Sequence, residues 1–201
     1  PALPPILRPR SYPGQIAEAL SLVTHPVVIV IAIAVVAVFS FRRRMRRLSL
    51  ALAIAAAGIP LQVGLALATH RPRPHTAFAD SISHIGSAYP ASHVTAMTLA
   101  SWVLVTLARA HHRSTMVAAG TVLGYTAVAV SAVGQWYMGL ATLSDLVGGF
   151  LLGAAFANLA LWVGGIDAIL TSWVNTRLSR ASSEKRAAVI YHPTKVDELS
   201  L

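Results

Sequence analysis

The sequence predicts an all-α fold: a polytopic transmembrane helical bundle of about five to six spans. Three observations carry that prediction. Of the 201 residues, 55% are hydrophobic and 11% are charged, and the mean hydropathy is +0.64. A soluble domain of this size needs far more polar surface. The apolar residues fall in runs of roughly 17–22, the length at which a helix crosses about 30 Å of hydrocarbon. The arginines border these runs instead of interrupting them, as topology signals do.

Taken in order, residues 1–15 are Pro-rich and read as an irregular arm. The bundle is expected over 16–175. Its first span is "IAEALSLVTHPVVIVIAIAVVAVFSF" (Ile16–Phe41), with Pro26 either kinking or starting the helix and Ile16–Thr24 suited to the membrane interface. "RRRMRR" (Arg42–Arg47) ends it. The second span is Leu48–Thr69, with Gly58 and Pro60 expected to bend it. His93–Ala108, Thr115–Val133 and Leu143–Val163 make the third, fourth and fifth. Residues 176–201 form a polar tail.

Orientation follows from the cations. Twelve Lys and Arg lie on one side, in the Arg42–Arg47 run, at Arg109 and Arg113, and in the tail; four lie on the other, at Arg8, Arg10, Arg71 and Arg73. The positive-inside rule places the first group in the cytoplasm, so the expected location is the plasma (inner) membrane with a cytoplasmic tail. The Arg runs are read as topology and attraction to anionic lipid. That reading also accounts for the net charge of +9 without nucleic acid. No cysteine is present, which excludes disulfides and thiolate chemistry. No cofactor or metal is expected.

One stretch breaks the pattern. "HRPRPHTAFADSISHIGSAYPASH" (His70–His93) gathers two Arg and four His between apolar runs. Arg71 and Arg73 offer two planar forks of donors that suit a phosphate; the bland alternative is contact with lipid headgroups. Pro90 suits the start of a helix, and the N–H groups of Ala91, Ser92 and His93 would then form an anion site at its tip. Ser92 adds a hydroxyl and His93 can donate a proton. A capping Ser and an interfacial His are the plainer account. On the same side, Asp145 stands two residues inside the fifth run. A carboxylate there needs a partner, with His93, Arg71 and Arg73 as candidates. A structural ion pair is the simpler reading. Gly148, Gly149 and Gly153 read as close helix packing.

The order Arg-Pro, then Pro-x-x-His opening a helix, then "YMGLATLSDLVGG" resembles the type-2 phosphatidic acid phosphatase superfamily, which includes lipid phosphate phosphatases and vanadium haloperoxidases. The resemblance runs from about Leu61 to Gly153. It implies a helical bundle, usually of six spans in membrane members, in which a Lys and two Arg hold the phosphate. It also implies a Pro-Ser-Gly-His motif that binds and protonates, and a His nucleophile oriented by an Asp. Carried over by position, Arg73 with Pro74 fits the first motif, with Arg71 as a second cation, but Ala66 stands at the Lys. Pro90 and His93 fit the second, with Ala91 and Ser92 in place of Ser and Gly. In the third, Gly134 replaces the usual Ser, Gln135 the Arg and Ala141 the nucleophile, while Asp145 is kept.

The resemblance therefore implies a degenerate member. Without the nucleophile no phosphohistidine forms, and such losses typically cost on the order of 10⁴–10⁶ in rate. A substitute attacker from Thr142, Ser144, His75 or His84 is the alternative, with His93 as the base for either hydroxyl. The expected function is binding of polyprenyl or phosphatidyl phosphate headgroups at the outer face, as a regulator or a subunit beside a membrane-protein partner. The competing expectation is an active phosphatase with a rearranged catalytic set. A third is a structural subunit whose polar groups only tie helices together.

Overall fold

The computed structural model describes residues 11–72, 76, 78, 87–110 and 114–165. All regular structure among them is helical: α1 (Tyr12–Val23), α2 (Pro26–Arg42), α3 (Arg46–Thr69), α4 (Ser92–Ala110), α5 (Ser114–Tyr137) and α6 (Leu143–Gly164). The chain divides at Gly164, and of the unit beyond it only Gly165 is described. The expected cytoplasmic tail (176–201) lies outside the described residues, as do Arg8 and Arg10 of the arm.

The N-terminal boundaries differ from expectation. Helix begins at Tyr12, inside the segment read as an irregular arm, because Ser11 caps it: the Gly14 N–H donates to Ser11 Oγ at 3.2 Å. The first expected span is two helices. Pro26 occupies the first turn of α2, where a missing N–H and fixed φ cost nothing. His25 caps it, with Nδ1 accepting from the Val27 N–H at 3.3 Å.

The helix α3 runs unbroken through Pro60. Gly58 serves packing: a Cβ there would meet the Phe156 ring of α6 at 2.9 Å. The chain leaves α3 at His70 in the left-handed region, φ 47°. At the other end of this helix, Arg44 (φ 61°) turns the chain between α2 and α3.

Four stretches are long and apolar enough to cross a membrane: Tyr12–Arg42, Arg46–Thr69, Thr115–Tyr137 and Leu143–Gly164. The helix α4, expected as the third span, is not among them, and its surroundings explain why. It packs against α2, α3, α5 and α6, and its buried residues include Ser92, His93, Thr95, Thr98 and Thr106. A helix enclosed by protein needs no apolar perimeter, because neighbouring groups satisfy its polar atoms. Its 19 residues rise about 28 Å, close to the hydrocarbon thickness. By contrast, Val28, Ile31, Val35 and Val38 of α2 are exposed. Each would forgo about 1.5–3 kcal/mol of burial in water, and facing lipid removes that penalty.

Glycine sets the approach of α6 to α4. A Cβ on Gly149 would lie 2.5 Å from the Ala91 carbonyl oxygen, and one on Gly153 would lie 2.7 Å from Thr98 Cβ. Small residues at such crossings are what brings backbones together in membrane bundles.

Candidate functional site

The ends of α3 and α5 and the beginnings of α4 and α6 are tied together by hydrogen bonds from the polar break. The Ala88 N–H donates to the Arg71 carbonyl at 3.0 Å, and Thr69 Oγ1 donates to the Tyr89 carbonyl at 3.0 Å. Gln62 Nε2, buried in α3, donates to the Pro90 carbonyl at 2.8 Å. Thr76 Oγ1 donates to the Met138 carbonyl at 2.6 Å. The Ala91 N–H donates to the Asp145 carbonyl at 3.0 Å, which joins the two polar segments directly. Tyr89 lays its ring on Gly148 of α6.

Asp145 is the centre of the first polar group. It is fully buried, and Arg71 Nη1 stands 3.0 Å from Oδ1, with the Arg71 side chain 44% exposed. The Thr142 N–H and Oγ1 donate to Oδ2 at 2.8 and 2.7 Å. Arg71 Nη1 donates its hydrogen bond to Ser144 Oγ at 3.1 Å, and the Ser144 and Thr142 hydroxyls are 2.9 Å apart. This is a capping arrangement: Thr142 precedes α6, and the carboxylate three residues later reaches back to its N–H. The negative charge sits in the first turn, where the helix dipole favours it. Of the three expected partners of Asp145, it meets Arg71. Arg73 lies outside the described residues, as do His75 and His84.

His93 belongs to a second polar group. It is 2% exposed, and its Nε2 lies 3.3 Å from the Ser21 carbonyl of α1. The His25 ring meets it edge-on at 5.8 Å. Gln135 donates from Nε2 to Ser21 Oγ at 3.1 Å. Both Ser21 and Gln135 are buried. His93 thus contacts α1, while Thr142 and Arg71 meet the Asp145 carboxylate. The expected use of Ala91 as a free donor at the helix tip fails, since its N–H is committed to Asp145. Ser92 is buried in the first turn of α4, as expected for a helix-start residue.

Ala66 and Ala141 place methyl groups in buried surroundings. Ala66 is fully buried, and its carbonyl accepts from Ser87 Oγ. Ala141 packs in an apolar cluster with Ala91, Val94 and Leu146. That cluster lies beside the start of α4. Among the described residues, no group of three or more His, Asp or Glu is placed to hold a metal.

Sequence reasoning missed Gln62 and Ser21, whose partners come from distant helices. Thr142 was considered only as an attacker, yet Thr142-x-x-Asp145 before an apolar run is itself a capping signature. No protein-family model, curated protein or solved structure matches this chain.

Proposed function

We propose that this is an integral membrane protein of phosphatase-like ancestry that binds lipid phosphate headgroups, polyprenyl or phosphatidyl, without hydrolysing them. In this reading the arginine-rich end is cytoplasmic and the Arg71 end faces the outer leaflet. The observation that carries it is the Arg71–Asp145 arrangement. Asp145 and Ser144 hold one guanidinium nitrogen, Nη1, at a partly exposed position. A guanidinium has five N–H donors, so a phosphate can be met by the rest of the fork, with Arg73 two residues on in sequence. Ala141 in its apolar cluster supports the absence of turnover. A role beside a membrane-protein partner, as regulator or subunit, follows from binding without chemistry.

One observation favours the rearranged-enzyme reading: Thr142 Oγ1 donates to Asp145 Oδ2 at 2.7 Å, as a hydroxyl activated by a base would. The same carboxylate also caps the Thr142 N–H and faces Arg71. A carboxylate that meets a cation and two donors is placed to orient those groups.

The test uses the full chain in nanodiscs with phosphatidic acid and polyprenyl phosphate. Binding without phosphate release is expected, and Arg71→Ala weakens it about 10- to 100-fold, the value of one charged hydrogen-bonding group. Turnover above roughly 1 s⁻¹ would overturn the non-catalytic reading. Unchanged affinity in Arg71→Ala would remove the anion site and leave the structural-subunit reading.

A further inference from the structure

A second feature lies toward the opposite end of α4 from His93. A cleft of about 260 Å³ opens between α5 and α6, with α4 as its floor. Each helix contributes one stripe at helical spacing: Ser101, Trp102, Val105 and Arg109 from α4, Thr121 and Tyr125 from α5, Ala154 and Leu161 from α6, among others. Small residues bring α5 and α6 close to α4 along the cleft. A Cβ on Gly124 would meet Ser101 Cβ at 3.0 Å, and one on Gly153 would meet Thr98.

The walls are apolar in effect although many residues are not. Thr98 Oγ1 donates to the Val94 carbonyl, Ser101 Oγ to the Gly124 carbonyl, and Thr121 Oγ1 to the Val117 carbonyl, at 2.8, 2.9 and 2.7 Å. Asn158 Nδ2 likewise donates to the Ala154 carbonyl at 2.8 Å. With these donors turned to backbone, the cleft presents mostly methyl, methylene and ring surface. From Thr98 to Arg109 the floor rises about 16 Å, close to half of the hydrocarbon thickness and so to the depth of one leaflet. At its end stands Arg109, exposed and in the last turn of α4. The acidic residues among those described are Glu18, in α1, and Asp145, in the first turn of α6. Arg109 thus stands about 24 Å along α4 from His93, the residue that α1 touches.

We propose that this cleft is a binding site for one anionic phospholipid of the arginine-rich leaflet, with an acyl chain between α5 and α6 and its phosphate on Arg109. An apolar slot one leaflet deep, ending at an exposed cation, matches a lipid with a negative head. This site is separate from the one at Arg71 and does not rest on it.

Trp102 lines the cleft, and Trp162 is 82% exposed on the outside of α6, which supplies a reporter and its control. Variants keeping only Trp102 (W136F, W162F, W173F) or only Trp162 (W102F, W136F, W173F) are placed in phosphatidylcholine vesicles. Phosphatidylglycerol or phosphatidylcholine with brominated acyl chains is then titrated in, and quenching is read. Trp102 is expected to favour the anionic lipid about fivefold over the zwitterionic one, the effect of one cation at the surface. Trp162 shows no preference. Arg109→Gln abolishes the preference, Arg109→Lys keeps most of it, and Ala154→Leu reduces quenching of Trp102 by both lipids. Equal quenching of Trp102 by the two lipids overturns the proposal. So does the absence of quenching by either, which would mean that protein fills the cleft.

Discussion

Two polar groups sit near one end of the bundle and are built in opposite ways. Around Asp145 a full charge is buried, balanced by a cation that reaches the surface, and the carboxylate also caps a helix. Around His93 and Gln135, Ser21 of α1 offers its carbonyl to the imidazole and its hydroxyl to the amide. The first group keeps an outlet, because Arg71 is 44% exposed while the carboxylate it meets is fully buried. The second is a joint between helices. The difference teaches that polarity within a membrane bundle has two uses, and that exposure of one member tells them apart better than residue type. His93 and Arg71 look equally functional as residues, yet α1 seals one and leaves the other open.

The strongest way to break the comparison is to force apart the contact that both groups share. Gly149→Leu drives a side chain into the Ala91 backbone, which is anchored on both sides and unable to yield as a flexible side chain would. The expected cost is about 3 kcal/mol, at the upper end of ordinary overpacking. It would be read as loss of thermal stability in detergent, together with loss of lipid-phosphate binding. A variant as stable as the parent would mean that α6 does not sit against the start of α4.

Removing Asp145 acts on one group only. Asp145→Ala deletes the cap of α6 and the counter-charge of Arg71. A fully buried pair would lose 3–5 kcal/mol when broken, but Arg71 is partly exposed and can turn to water, so about 2 kcal/mol is expected. Asp145→Asn keeps an acceptor for the Thr142 N–H and should lose about half as much. Denaturant unfolding of the two variants checks the order. Equal losses would show that the ion contact, and not the cap, supplies the stability.

How much of this was legible follows from the range of each interaction. Helix number, type and approximate limits come from runs of apolar residues, a local property, and four of the stretches keep their span character. The break at Thr24–His25 was half visible, since Pro26 was recognised as either a kink or a start. The central position of α4 was not visible, because its Ser and Thr residues read the same whether they face lipid or other helices. Asp145 was recognised as needing a partner, and Arg71 is that partner. The partners of His93 were not predictable: Ser21 lies 72 residues earlier, and no local pattern marks a serine whose carbonyl will close over an imidazole.

The smallest expected effects concern the Ser21–Gln135 contact, and they sharpen the contrast most. Ser21→Ala leaves the buried amide of Gln135 without its acceptor, and Gln135→Leu leaves the Ser21 hydroxyl without its donor. Each should destabilise by about 1–2 kcal/mol, since an orphaned buried polar group loses its compensation. The double variant should be milder than the sum and close to the parent, within about 0.5 kcal/mol, because two apolar groups of similar shape leave nothing unsatisfied. The matching cycle on Arg71 and Asp145 should show no such recovery, because the Thr142 N–H still loses its cap whatever replaces Arg71. Unfolding free energies for the two cycles, measured under the same conditions, test the claim directly. Recovery in both would mean that Asp145 is an interchangeable joint like Gln135, and that charge at this end of the bundle has no separate role.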